Sequence, residues 1–471
     1  MRVNDNLAVF EQNPKFFAHF TDFSYLCSPN TAQGPQTYAN MLLRFSVTNY
    51  RSFGHEMTLD LTASNGIKDL PGSGVSPIGN TNNKVLNAVA IYGANSSGKS
   101  NLLMAIGTMR GMVRDSVRLN DSDTLPYEPF LLSTREQHPT RFEAVYYEPD
   151  NKATITYGFE YTEEAIKKEW LVAKWPSRSE KRLFLRTPEG VEIDERSYPE
   201  GGRARELPLN GNRLFLSLAG QVGGSISNGV INWFQDQLRV ISGIEDTYSH
   251  YTRRRVYNSP EAKNSVQQFL GKMKLGFDRI DATKVDFESM GFPPGMPKEL
   301  IAQIKRDPII QVSSIHNVYS EDGQVARTES FDLDSQESAG TNKIFSLSGP
   351  LLDALAGGIT LLIDELDSQM HPMITWRLVQ MFNSATDNPH SAQLVFTTHD
   401  TNLLSNELFR RDQIWFTEKD PTESTALYPL TRAHENSARI NHTPRNDSNY
   451  QKNYIAGLYG ALPFLRSRLP E

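Results

Sequence analysis

Val85-Leu86-Asn87-Ala88-Val89-Ala90-Ile91-Tyr92 runs straight into Gly93-Ala94-Asn95-Ser96-Ser97-Gly98-Lys99-Ser100, and that junction decides the fold. The apolar run predicts a strand, and Asn101 to Val117 has helical spacing. The loop between them matches G-x-x-x-x-G-K-[ST] at every fixed position. Its residue types suit phosphate. Gly93 and Gly98 let the backbone wrap so that amides point inward, and the helix N-terminus adds partial positive charge. Lys99 would reach the β and γ phosphates of ATP, and Ser100 would give its hydroxyl oxygen to Mg²⁺. Asn95, Ser96, Ser97 and Asn101 complete the expected nucleotide-binding set. A chance Gly/Ser turn is the plain alternative, and the preceding strand argues against it.

Far downstream, Leu361-Leu362-Ile363-Asp364-Glu365 is an apolar strand ending in two acids. Carboxylates there are costly unless they meet a cation or water. Asp364 is placed to hold the Mg²⁺ shell, and Glu365 to orient or deprotonate the attacking water. The alternative, an acidic N-cap pair, is less needed because Asp367 and Ser368 could cap the next helix. About 30 residues on, Val395-Phe396-Thr397-Thr398 ends in His399, which suits a γ-phosphate contact. His371, beside Pro372 at a helix start, reads as structural. Glu337-Ser338-Ala339-Gly340-Thr341 precedes a helix and offers a second anion-binding surface.

Working outward, the 471 residues leave room for two or three domains. Net charge is −7, which excludes a protein coated in positive charge for nucleic acid. One cysteine, Cys27, excludes an internal disulfide or a Cys-based zinc site. No apolar run reaches membrane-spanning length and no leader opens the chain, so the expectation is a soluble, cytoplasmic protein without a membrane partner. Residues 1–40 read as an extension, with Met41 an alternative start. A first core part, 41–205, contains antiparallel β over 140–175. Residues 206–305 read as a mainly helical insertion, and 306–471 as the second core part. Arg253-Arg254-Arg255 with Lys272 and Lys274 reads as solvated surface charge, with partner binding or a DNA-facing groove left open.

In this order, the four elements resemble the ABC-type ATPases related to SMC proteins. The resemblance implies an α/β P-loop NTPase fold with an ABC-type core: a mixed sheet flanked by helices and an antiparallel β subdomain. It implies that Ser338 and Gly340 form the signature motif, facing the nucleotide of a second subunit in a homodimer or higher homo-oligomer with composite ATP sites. Asp367 would be the D-loop residue, His399 the switch histidine, and Arg51 and Ser52 would approach the nucleotide. Gln137 stands near the Q-loop region and is assigned no role. Ile363-Asp364-Glu365-Leu366-Asp367-Ser368 with His371-Pro372 is also similar to the AAA-type ATPases grouped with abortive-infection and OLD-like proteins. So is the tail, Lys452-Asn453-Tyr454, Gly457, Tyr459-Gly460-Ala461 and Pro463-Phe464. Leu458 occupies a position associated with Arg in relatives and receives no role.

That second resemblance implies anti-phage defence, with the ATPase as sensor or regulatory subunit of a separately encoded effector, such as a nuclease or other toxin. The 72 residues after His399 are too few for a usual OLD-type Toprim domain, so a partner is expected. The runner-up is an SMC-like DNA repair or chromosome-associated ATPase, against which the lack of sustained heptads speaks. A transporter ATP-binding subunit fits less well, because Gly340-Thr341-Asn342 stands where Gly-Gly-Gln normally continues the signature.

Overall fold

The computed structural model describes residues 40–133, 138–176, 178–242, 248–277, 279–285, 301, 305, 308–433 and 443–462. The expected extension up to residue 39, Gln137 and Pro463-Phe464 lie outside the described residues. Contacts divide the described chain into two compact units, one of 40–242, 354–368 and 375–462, the other of 248–353 and 369–374. These bounds are not those of the 206–305 insertion. Residues 206–242 cluster with the larger unit, and the smaller one continues to Asp353.

The larger unit holds a six-stranded sheet in the order Leu238–Ser242, Thr360–Asp364, Gln393–Thr397, Ala88–Gly93, Ile414–Lys419, Thr425–Pro429. The first five run parallel and the last is antiparallel. Parallel strands are covered on both faces, which is why they read as unbroken apolar runs; Val89, Ile91, Leu361, Leu362, Ile363 and Leu394 are fully buried. Helix Lys99–Asp115 follows the phosphate-binding loop and buries Leu102, Leu103, Ile106, Met109 and Val113 on one face. The run expected as one strand from Val85 is broken at Asn87. Lys84–Leu86 pairs antiparallel with Val75–Pro77, inside the expected 64–84 loop. The Asn87 amide donates to Gly74 O, 3.0 Å away, before the chain enters the parallel sheet.

A seven-stranded antiparallel sheet has the order Gly190–Ile193, Lys181–Thr187, Ile166–Lys174, Ala153–Tyr161, Thr140–Glu148, Met41–Thr48, Met57–Asp60. Alternation over residues 140–175 therefore marks strands as expected. Gln393 ties this sheet to the parallel one. Its Oε1 accepts from Leu42 N (2.8 Å) and Thr360 Oγ1 (2.9 Å), and its Nε2 donates to Leu42 O (3.0 Å) and Leu86 O (3.2 Å). A buried amide with every group engaged fixes relative placement, since any shift would orphan it.

Helices Pro199–Arg205, Phe215–Gln221 and Ser225–Asn232 also belong to this unit. Glu169, fully buried on strand Ile166–Lys174, accepts from the first-turn amides Phe215 N (2.7 Å) and Leu216 N (2.9 Å) and from Tyr157 Oη (3.0 Å). Arg186 Nη1 stands 3.5 Å away as its counter-charge. Burial pushes the Glu169 carboxyl above its ordinary pKa, against the pull of Arg186 and the amides.

The smaller unit has helices Ser249–Asn258 and Pro260–Lys272 and an antiparallel sheet of Arg279–Lys284, Ile310–Tyr319 and Val325–Asp332. Two of the three consecutive arginines are not solvated surface charge. Arg253 is buried, donates to Ser249 Oγ at 2.9 Å and pairs with Asp334. Arg255 pairs with Asp353, which also accepts from Tyr251 Oη. A helix presents successive residues at different angles, so a run of like charges need not share one face.

Glu169→Ala should take the counter-charge from Arg186, which keeps only its backbone-carbonyl acceptors, and leave two helix amides without theirs. A loss of about 3–5 kcal/mol is expected in urea unfolding monitored by circular dichroism.

Candidate nucleotide site at the sheet edge

Strands Ala88–Gly93, Gln393–Thr397 and Thr360–Asp364 are parallel neighbours, so their carboxyl ends share one edge of the sheet. That edge is where open α/β sheets bind ligands. On it stand the glycine-rich loop, His399 just beyond the middle strand, and Asp364 with Glu365. Their charges act on one another: the Asp364, Glu365 and Asp367 carboxylates all work on Lys99 and on His399.

The loop is tightly held. Lys99 is buried, and its Nζ donates to Gly93 O (2.9 Å) and Ala94 O (3.1 Å). Burial lowers its pKa, and the three carboxylates oppose that shift. Gly98 caps the helix at φ +108°, and a Cβ there would run into the Thr425 side chain. Ser97 Oγ shares a 2.6 Å hydrogen bond with Thr417 Oγ1, fixing the loop to strand Ile414–Lys419. Asn95 and Ser96 are exposed at the loop's crest and Ser100 is half-buried. Asn101 Nδ2 donates to Ser52 Oγ at 2.8 Å, and Thr425 N donates to Ser52 O at 2.7 Å. Ser52 thus borders the loop. Arg51, at φ +48°, pairs through Nε with Glu128 instead.

At the acidic end, Thr397 Oγ1 donates to Asp364 Oδ1 at 2.6 Å and accepts from Glu365 N at 2.7 Å. Glu365 sits at φ +51°, a left-handed conformation costing a non-glycine residue roughly 1–2 kcal/mol. The chain leaves the strand there, and Leu366 N returns to Thr397 O at 3.1 Å. His399 is exposed, and its amide donates to Asp367 Oδ2 at 3.3 Å. Partial desolvation, then the charge of Lys99, holds the imidazole below its ordinary 6.5, against the pull of the carboxylates. His371 Nδ1 accepts from Met373 N at 3.2 Å, as a residue at a helix start does.

Ser338 and Gly340 lie in the smaller unit. Ser338 Oγ accepts from Thr341 N at 3.1 Å and so caps helix Ala339–Gly357. A Cβ on Gly340 would come 3.0 Å from Gln369 O. Thr397, Thr417, Thr425 and Glu128 were not singled out in the sequence. Only Thr397 carried a local signal, a hydroxyl closing an apolar strand beside His399.

The residues present fit ATP with Mg²⁺. The loop keeps glycine at the two positions where a Cβ would collide with Thr417 or Thr425, and the Lys99 ammonium is folded back onto the loop carbonyls Gly93 O and Ala94 O. Ser100 and Asp364 would supply the protein's share of a magnesium shell. Mg²⁺ ordinarily takes one or two carboxylates plus phosphates and water. Among the described residues no group of three or more His, Cys, Asp or Glu side chains could hold an ion alone. Nor, among them, is any helix long and apolar enough to cross a membrane.

A family model described as "AAA domain, putative AbiEii toxin, Type IV TA system" matches residues 88–405. No curated protein matches. Similar solved structures include the SMC head domain from Thermotoga maritima (13% identity, covering 83% of this chain and 99% of that one, TM-score 0.38). Others are an Smc head bound to the C-winged helix domain of ScpA (10%, 83% and 98%, TM-score 0.43) and the recombination mediator RecF with ATP (14%, 86% and 100%, TM-score 0.33).

The His399 imidazole should titrate below 6.5 by NMR, and in Lys99→Met its midpoint should move upward, because a neighbouring positive charge is removed. An unchanged midpoint in Lys99→Met would remove Lys99 from its surroundings.

Proposed function

We propose that this chain, which belongs to the AAA-domain family matched over residues 88–405, hydrolyses ATP at the loop edge and regulates a separate effector in anti-phage defence. One observation carries the enzymatic half: the loop with Lys99, the His399 strand and the Asp364–Glu365 pair stand at the carboxyl ends of three neighbouring parallel strands. A phosphate-binding lysine and an acidic pair within electrostatic reach are the minimum set for attack of water on a γ-phosphate.

In this reading Glu365 takes a proton from the attacking water. The water oxygen bonds to the γ-phosphorus as the bond to the β–γ bridging oxygen breaks, giving ADP and phosphate. Lys99 and the loop amides stabilise the charge that builds on the phosphate oxygens. Ser100 and Asp364 would hold Mg²⁺, whose charge would offset that of the phosphate oxygens. His399 would contact the γ-phosphate from the middle strand. Ser52 and Asn101 would line the nucleotide, and Arg51 would have to exchange Glu128 for it.

Ser338 and Gly340 would act on the nucleotide of a second copy, with Asp367 at the junction, so that two chains enclose two ATP molecules. ATP would close such a dimer and hydrolysis open it, which gives a partner protein a signal to read. The defence half rests on the family description, which names a toxin of a type IV system.

Lys99→Ala should lose nucleotide binding and turnover together. Glu365→Gln should keep binding, lose turnover by roughly 10²–10⁴, and accumulate as an ATP-dependent dimer in sedimentation. Two variants with wild-type turnover would place the chemistry elsewhere. A pull-down of Glu365→Gln with ATP from the native host should recover a nuclease or other toxic effector. Recovery of DNA-repair proteins instead would favour the SMC-like alternative.

A further inference from the structure

We propose that Thr397 is a positioning residue for the magnesium-binding and water-activating carboxylates, an inference that rests on the ATPase reading above. Thr397 closes strand Gln393–Thr397 and is fully buried. Its single hydroxyl serves two residues at once. The proton goes to Asp364 Oδ1 at 2.6 Å, and a lone pair takes the Glu365 amide at 2.7 Å.

Both bonds have consequences. With Oδ1 engaged, the Asp364 carboxylate is held in one rotation, and its other oxygen is the one available to a cation. The Glu365 amide has run off the end of the strand ladder, whose last pair is Ile363 with Phe396. The Thr397 hydroxyl replaces the carbonyl that a further strand residue would have supplied. It thereby holds Glu365 in its left-handed conformation, φ +51°, and sets where that side chain leaves the backbone. The backbone of Thr397 adds to this by accepting from Leu366 N at 3.1 Å. A valine would fill the same space and make neither side-chain bond, whereas a serine would make both.

The test compares full-length wild type, Thr397→Val and Thr397→Ser, with Thr397→Cys, whose thiol is only a weak donor and acceptor, as a second variant should valine prevent folding. Calorimetry measures ATP affinity in EDTA and in Mg²⁺, and steady-state assays give kcat and the Mg²⁺ concentration for half-maximal rate. Thr397→Val, or Thr397→Cys in its place, should bind ATP in EDTA like wild type but lose most of the gain in affinity that Mg²⁺ gives. It should need at least about five-fold more Mg²⁺ and lose at least about ten-fold in kcat, and Thr397→Ser should restore all three. A wild-type magnesium dependence in the valine or cysteine variant overturns the inference, and so does a fall in kcat alone, since lost packing would produce that. If wild type itself binds no ATP, the ATPase reading fails first, a result distinct from either.

Discussion

Strand Gln393–Thr397 is hydrogen-bonded in parallel to Thr360–Asp364 on one side and to Ala88–Gly93 on the other, and that shared register organises the whole edge. A slip of one residue turns every side chain of a strand to the opposite face. Here it would withdraw Thr397 from Asp364 and Glu365, and carry His399 away from Lys99. The register is pinned at the far end of the same strand by Gln393, whose amide is engaged by Leu42, Leu86 and Thr360. One five-residue strand therefore joins the antiparallel sheet to the parallel one at its start and aligns the candidate site at its finish.

The site is built on rigid elements, with strain confined to a few points. Glu365 and Ser96 have positive φ, and both lie at the edge where the nucleotide is proposed to bind. Such conformations persist only where the surroundings over-determine them. Around Glu365 the Thr397 hydroxyl does this; around the loop, Thr417 and Thr425 do. Threonines on three strands of the one sheet thus hold both halves of the edge.

Much of this was legible in the sequence. The loop, the acidic strand and the His399 strand each carry their chemistry within a few consecutive residues, and their apolar runs announce buried parallel strands. What stayed hidden depends on partners distant in the chain. The break at Asn87 follows from pairing with Val75–Pro77, and the placement of Arg253 and Arg255 from their pairing with Asp334 and Asp353, neither of which periodicity can reveal. Arg51, expected at the nucleotide, is held by Glu128, 77 positions away. The helical stretch from 206 also read as one insertion because nothing local marks where helices stop serving Glu169 and a second unit begins.

In the proposed dimer each ATP site takes Ser338 and Gly340 from another copy. Mixing Lys99→Ala with Ser338→Arg tests it most directly, because each chain alone would be inactive and a mixed dimer would contain one site free of both substitutions. An equimolar mixture should recover up to about a quarter of wild-type ATPase activity, since about half the dimers are mixed and one of their two sites is intact. An inactive mixture of folded, exchanging chains, or a Ser338→Arg chain that is fully active alone, would contradict it.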